Sequence, residues 1–321
     1  TDCYSGDTVC ASARSTLMTG YHKGHTPVRG NSGGIPLFPE DITVAEVLKK
    51  AGYVTGGFGK WGLGNQGKDG AAERQGFDLF YGFNCQVHAH NHYPKFLWRN
   101  GKKEILQGND RTLYGETFSQ DRFIEEAVAF MDAHQEDPFF LFMPFTIPHL
   151  SIQVPQWAVD WYTDDIVEEE YKHRGYLKHP SPRAGYAAMV SYLDYGVGLV
   201  MNKVRSMGLE EDTLVIFTSD NGAEVKTKTA TGPVRSNKGS CYEGGHRVPF
   251  IVAWPDGKVG NGKTGDSVIK SDQLIGLQDL YATFSKILGI NLPDLREGKK
   301  GAEDSYNILP AWQGKKMINR P

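Results

Sequence analysis

Three apolar runs in this sequence each end on side chains able to do chemistry. Tyr53–Phe58 runs into Gly59-Lys60-Trp61, Phe139–Phe145 into Pro148-His149, and Thr213–Thr218 into Ser219-Asp220-Asn221-Gly222. In sheets of parallel strands, reactive groups collect at the carboxyl ends. A cation, an imidazole, and a carboxylate beside an amide are therefore expected where the strands finish. Asp220 and Asn221 offer one charged and one neutral hard oxygen, the ligands that Ca²⁺ or Mg²⁺ takes. Lys60 lies in a glycine-rich turn, where an anion meets an ammonium and backbone N–H groups together. His149 can serve as acid or base near neutral pH. A second lysine, Lys238, opens the glycine-rich segment 238–245. Two lysines, a hard cation and a histidine describe a site for a tetrahedral oxyanion ester, phosphate and sulfate alike, because charge stabilisation dominates both reactions. The same residues also suit plainer roles: an Asx turn at 220–222, a solvated Lys60, a hydrogen-bonding His149.

These groups need a scaffold. Apolar residues at helical spacing predict helices over Ile42–Ala51, stopped by Gly52, and over Phe118–Ala133, Tyr186–Met207 and Leu277–Leu288. The unbroken run Phe139–Phe145 reads as a strand buried on both faces, Thr213–Thr218 as the next buried strand, and Phe250–Trp254 as a further strand. Helices alternating with buried strands predict an α/β fold with a mostly parallel sheet covered on both faces. Pro255 through Gly265 reads as an irregular loop, and Glu168-Glu169-Glu170 as a solvated face.

Composition narrows the class. The 321 residues exceed the usual single-domain length, and 39% hydrophobic against 23% charged residues support a sizeable core. Lys+Arg 35 against Asp+Glu 38 lacks the basic bias of a nucleic-acid binder. No run approaches the roughly 18 apolar residues of a membrane span. Four cysteines, at 3, 10, 85 and 241, are too few for a disulfide-built fold and fit no zinc spacing.

The segment Cys10-Ala11-Ser12-Ala13-Arg14-Ser15-Thr16-Leu17-Met18-Thr19-Gly20 resembles the sulfatase signature Cys-x-Pro-Ser-Arg with its following Thr-Gly. Gly52–Trp61 resembles the second signature of that family, and 139–149, 218–222 and 238–245 resemble further blocks in the same order. The likeness spans almost the whole chain and is to type I, arylsulfatase A-like sulfatases of the alkaline-phosphatase superfamily. It implies that Cys10 is converted to formylglycine by a maturation enzyme and that its hydrate is the nucleophile. It further implies that Arg14 holds the hydrate, that Lys60 and Lys238 neutralise sulfate oxygens, and that His149 protonates the departing alcohol. Asp220 and Asn221 would hold the cation, Ca²⁺ ahead of Mg²⁺. Export to a periplasmic, secreted or lysosomal location is the family's habit.

The chain departs from the family at several points. Ser12 and Ala13 stand where the signature has Pro and Ser, and Gly62 stands where many members carry the histidine assigned to deprotonating the hemiacetal. His22, His88 and His90 are the candidates to replace it. Two aspartate ligands that the family takes from a first strand have no match, Asp2 included, so residues 1–321 read as a catalytic domain lacking its first strand and its small C-terminal subdomain. The stretch Gln86–Pro94 resembles a substrate-facing loop, with Gln86, His88 and His90 as contacts to a sulfated sugar or an aryl sulfate. A histidine metal cluster and an ordinary surface loop are its alternatives. The functional alternatives are a phosphomonoester or phosphonate ester hydrolase of the same fold, and a non-catalytic oxyanion- or glycan-binding relic in which Cys10 stays a thiol.

Overall fold

A computed structural model describes residues 2–31, 34–169, 171, 175–224, 230–260, 269–298 and 300–317. In chain order its elements are β1 (Asp2–Tyr4), α1 (Cys10–Thr19), α2 (Val44–Lys50), β2 (Val54–Lys60), β3 (Leu79–Phe83), β4 (Phe96–Arg99), β5 (Lys102–Ile105) and α3 (Ser119–Ala133). There follow β6 (Phe139–Phe142), α4 (Gln156–Val159), α5 (Pro182–Ser206), β7 (Val215–Thr218), α6 (Glu243–His246), β8 (Phe250–Ala253), β9 (Leu274–Gly276), α7 (Asp279–Leu288) and α8 (Leu309–Trp312). The chain divides into two compact units. Unit 1 comprises Thr1–Gly52, Arg74–Gly76 and Val204–Pro321, and unit 2 comprises Tyr53–Glu73 and Phe77–Lys203.

Unit 2 holds a five-stranded mixed sheet in the order β5-β4-β3-β2-β6. Strands β3, β2 and β6 run parallel, in registers that set Gly56 opposite Leu79 and Val54 opposite Phe139. The β4–β5 hairpin extends the sheet antiparallel to β3. Helix α3 packs on β2 and β3 because Phe123, Ala127 and Phe130 share one face at helical spacing. They join Phe58, Tyr81, Phe83 and Leu97 in one buried core. Each fully buried phenylalanine there contributes roughly 1.5–3 kcal/mol.

Unit 1 holds the parallel pair β1–β9 and the antiparallel pair β7–β8. Its core gathers Cys3, Val248, Ile275, Leu277, Leu280, Ile308 and Trp312. Helix α1 packs against α2 and α7. It ends on Gly20 in the left-handed conformation, whose N–H caps the Thr16 carbonyl. Helix α2 opens on a reciprocal cap: Thr43 Oγ1 accepts from the Glu46 N–H, and Glu46 accepts from the Thr43 N–H.

The α/β class is as expected, with parallel pairing in β3-β2-β6 and β1–β9 and antiparallel pairing in the remaining pairs. Strands β6 and β7 are half-buried along their whole length, where their apolar runs predicted full burial. Each has a single partner strand among the described residues. Helix α5 starts at Pro182, four residues before the predicted Tyr186, because proline fits the first helical turn. The irregular loop is described through Gly260, and its 261–265 part lies outside the described residues. Glu168 is not merely solvated: its carboxylate accepts from the Arg183 and Ala184 N–H groups at the start of α5, 2.9 Å each, while Glu170 lies outside the described residues. None of the four cysteines is in a disulfide. Among the described residues no helix is long and apolar enough to cross a membrane.

Candidate active site

Five expected site residues fall in unit 1 (Cys10, Arg14, Asp220, Asn221 and Lys238) and five in unit 2 (Lys60, Gln86, His88, His90 and His149). In unit 1, Cys10 is the first residue of α1 and only 3% exposed. The first turn is anchored from outside the helix. Asn31 Oδ1 accepts from the Ala11 N–H at 2.8 Å, and the Ser12 hydroxyl donates to buried Asp7. Asp7 also takes the Lys23 ammonium at 2.7 Å. Ser12 is thus a buried tie between the helix and the preceding turn.

Arg14 lies one helical turn beyond Cys10, on the same side of α1. Its Nε donates to Asp220 Oδ2 at 2.8 Å, with both side chains largely buried. Asp220 and Asn221 follow β7 directly, in a loop held by a Gly222 N–H to Gly245 O bond of 2.9 Å. Asn221 is buried, its Nδ2 donates to Gly222 O, and its Oδ1 has no hydrogen-bond partner among the described residues. An acceptor left so costs about 1–3 kcal/mol. Beside the Asp220 carboxylate, that oxygen suits a hard cation, whose ligands are of this kind.

Lys238 is held from both ends. Its N–H donates to Ala223 O at 3.1 Å, and the next N–H, of Gly239, donates to Thr8 O at 2.9 Å. Its ammonium pairs with Glu224 at 2.7 Å. Burial alone would lower this lysine, but the negative charges of Cys10, Glu224 and Asp220 outweigh it and push the pKa up to about 12. Lys238 is a fixed cation that feels both Cys10 and Asp220. Glu224, its partner, carried no signal in the sequence, since an acid two residues beyond an Asx turn is unremarkable.

In unit 2, Lys60 ends β2 and is 3% exposed. Gly59 precedes it at φ 137°, where a Cβ would lie 2.3 Å from Pro144 O. This close approach lets the Lys60 N–H reach the same carbonyl at 2.8 Å and fixes the strand end. Gly62 adopts φ 79°, and a Cβ there would fall 1.9 Å from Gln86 Nε2. Gln86 fills the space that a side chain at 62 would take and donates to Gly62 O at 3.3 Å. The carbonyl oxygens of Gln86 and Asn84 are buried without protein partners.

His149 stacks on His90 with ring centroids 4.8 Å apart and planes 8° from parallel, and Tyr176 meets both rings edge-on. Its Nδ1 faces Leu150 O, which assigns the Nδ1 proton. Beneath it, His92 Nε2 donates to His149 O at 3.0 Å, and the Thr146 hydroxyl donates to His92 Nδ1 at 2.9 Å. Burial drives the His92 pKa down to about 4, aided by the charge of Lys60, against the backbone hydrogen bonds to His149 and Ser151 that raise it. His92 therefore positions the 149–151 segment as a neutral ring. Within 86–94 it was the histidine least expected to matter.

His88 is the exception among the expected contacts. It packs between Phe83 and Phe96, and burial lowers its pKa to about 4, the setting of a core histidine. The histidines of this stretch do not form a metal set. The one such group among the described residues is His22, His25 and Asp304. Asp2 pairs with Arg247 at 2.7 Å.

A family model described as Sulfatase matches residues 1–290, and the chain belongs to that family. It is 30% identical to arylsulfatase A of Homo sapiens over 98% of this chain and 60% of that protein. It is 28% identical to the N-acetylgalactosamine-6-sulfatase of Canis lupus familiaris over 99% of this chain and 59% of that one. It thus spans about three fifths of the length of these relatives. Among solved structures it matches Ps i-CgsB in complex with k-i-k-neocarrahexaose at a TM-score of 0.77 and 24% identity, covering 97% of this chain and 67% of that one. It also matches a phosphonate monoester hydrolase from Silicibacter pomeroyi at 0.69 and 17%, covering 100% and 70%.

Proposed function

We propose that the protein hydrolyses a sulfate monoester, carried on a carbohydrate, through a formylglycine formed at Cys10. The observation that supports this most is the unit 1 cluster. A buried Cys10 heads α1, Arg14 one turn on pairs with Asp220, and Lys238 is a buried cation under the influence of both Cys10 and Asp220. Asp220 and Asn221 would hold a calcium ion, which would supply positive charge for the anionic oxygens. The residues do the rest. One hydroxyl of the hydrated aldehyde gives up its proton to solvent as its oxygen attacks sulfur. The bond from sulfur to the alcohol oxygen breaks with its electron pair on that oxygen, which takes a proton from His149. The second hydroxyl then loses its proton, the carbon–oxygen bond to sulfate breaks with its pair on sulfate, and the aldehyde returns.

His90 is the remaining choice for accepting that second proton. His88 is half-buried against Phe83 and Phe96, and His22 is engaged with Asp304. Lys60 and Lys238 neutralise sulfate oxygens, and Gln86 contacts the sugar. Residues 1–321 are read as the body of the catalytic domain. A formylglycine-generating enzyme is the required partner, and export is the location consistent with the family.

The test uses the complete protein co-expressed with that maturation enzyme. The peptide containing residue 10 is expected to lose mass corresponding to oxygen for sulfur and two fewer hydrogens. Nitrophenyl sulfate should turn over far faster than nitrophenyl phosphate, and Cys10→Ala should lose at least about a thousandfold in activity. An unmodified thiol with full sulfatase activity would refute the nucleophile. Faster turnover of the phosphate would move the assignment to phosphoester hydrolysis.

A further inference from the structure

The loop after α1 carries two imidazoles outside the machinery described above. His22 and His25 stack with ring centroids 4.1 Å apart and planes 27° from parallel. Facing them from the C-terminal part of unit 1 is Asp304. One of its carboxylate oxygens lies 2.8 Å from His25 Nδ1 and accepts from the His22 backbone N–H at 2.9 Å. The other lies 3.5 Å from His22 Nε2. Glu303 adds a second carboxylate 3.8 Å from His25 Nδ1. One ligand atom from each of His22, His25 and Asp304 lies within 4.8 Å of the others.

Both sides of this cluster are anchored by backbone. The His25 and Thr26 N–H groups donate to His22 O at 3.0 and 3.1 Å, closing a tight turn, and Arg29 ties Gly24 O at 2.7 Å. Opposite, the Ala302 N–H donates to Thr19 O and the Asp304 N–H donates to Gly20 O at 3.2 Å. The ligands are therefore held before any ion arrives, which reduces the ordering cost of binding.

We propose that His22, His25 and Asp304 form a transition-metal site of the Zn²⁺ class that clamps the loop after α1 to the 302–306 segment. Two imidazoles and one carboxylate are a borderline-soft donor set. Zn²⁺ accepts it with water completing the tetrahedron, whereas Ca²⁺ and Mg²⁺ ask for oxygen throughout. Ligation by His22 Nε2 moves the ring proton to Nδ1 and gives up the hydrogen bond from the Gly24 N–H, which water replaces at this exposed position. The site is independent of the sulfatase assignment and differs in chemistry from the oxygen pair at 220–221.

Isothermal titration of untagged protein with ZnCl₂, in excess calcium to fill oxygen sites, tests it. One equivalent should bind to the wild type, and His25→Ala and Asp304→Asn should each weaken it at least tenfold. Cobalt(II) added to the wild type alone should give visible absorption bands of nitrogen–oxygen coordination, displaced by zinc. This readout does not depend on any variant folding. Absence of zinc binding by the wild type, or unchanged binding in both folded variants, would overturn the proposal.

Discussion

At the scale of single residues, the chain mixes side chains fixed by charge with side chains fixed by packing, and the two kinds predict different losses. His149 is assigned the proton that the departing alcohol needs. A nitrophenolate leaves without help and a sugar alkoxide does not, so the substrate reveals the role. His149→Gln should lower turnover of an alkyl or sugar sulfate by about 10²–10⁴, and that of nitrophenyl sulfate by less than about tenfold. Equal losses on both substrates, measured as kcat, would show that His149 binds sulfate instead. The residues behind this site were unevenly legible. Cys10, Arg14, Lys60, Asp220 and Lys238 stood out through their motif blocks. His92 and Glu224 did not, because a positioning residue is chosen by what lies behind it in space, and no local spacing records that. His88 resembled a contact in sequence yet fits between two phenylalanines, since an imidazole and a small aromatic ring fill similar volumes.

At the scale of elements, helices with one apolar face and uninterrupted apolar strands could be read, and elements of mixed polarity could not. Helix α3 announced itself through Phe123, Ala127 and Phe130. Helix α1 is buried nearly all round and built from Ser, Thr and Ala, so it has no apolar stripe to betray it. The β4–β5 hairpin did carry a signal: Asn100-Gly101 adopts positive φ at both positions, 38° and 85°, the chemistry of a two-residue hairpin turn. Strand edges and partners, which decided the half-burial of β6 and β7, are set by topology and leave no mark on composition. The caps can be tested directly. Thr43 accepts from the third N–H of α2, and its hydroxyl also donates to Gln75 O at 2.8 Å. Thr43→Ala should therefore cost about 1–2 kcal/mol. Urea unfolding would show a lower midpoint with an unchanged slope, while Thr43→Ser should recover most of the loss.

At the scale of the molecule, acidity should act on unit 2 through its buried imidazoles. The His92 ring titrates near 4 when folded and near 6.5 when unfolded. Between those values the unfolded chain binds the extra proton, so stability rises with pH across the window. The contribution of His92 is complete above about pH 6.5 and is lost as pH falls toward about 4, on the order of 3 kcal/mol in all. His88 titrates in the same direction. Denaturant unfolding at pH 7 and pH 5 should show the weaker protein at pH 5, and His92→Gln should flatten that difference by roughly half. An undiminished pH dependence in the variant would assign the effect to other groups.

The meeting of Gly62 with Gln86 carries its consequence into how the protein can change. The pocket between those two backbones has room for one side chain, and it is at present supplied from position 86. An imidazole at 62 would meet the Gln86 amide, the movable end of a flexible side chain, but it would also have to adopt φ 79°, which strains any L side chain. Shortening Gln86 clears the space and leaves that strain in place, so the backbone at 62, more than its neighbour, keeps the position a glycine.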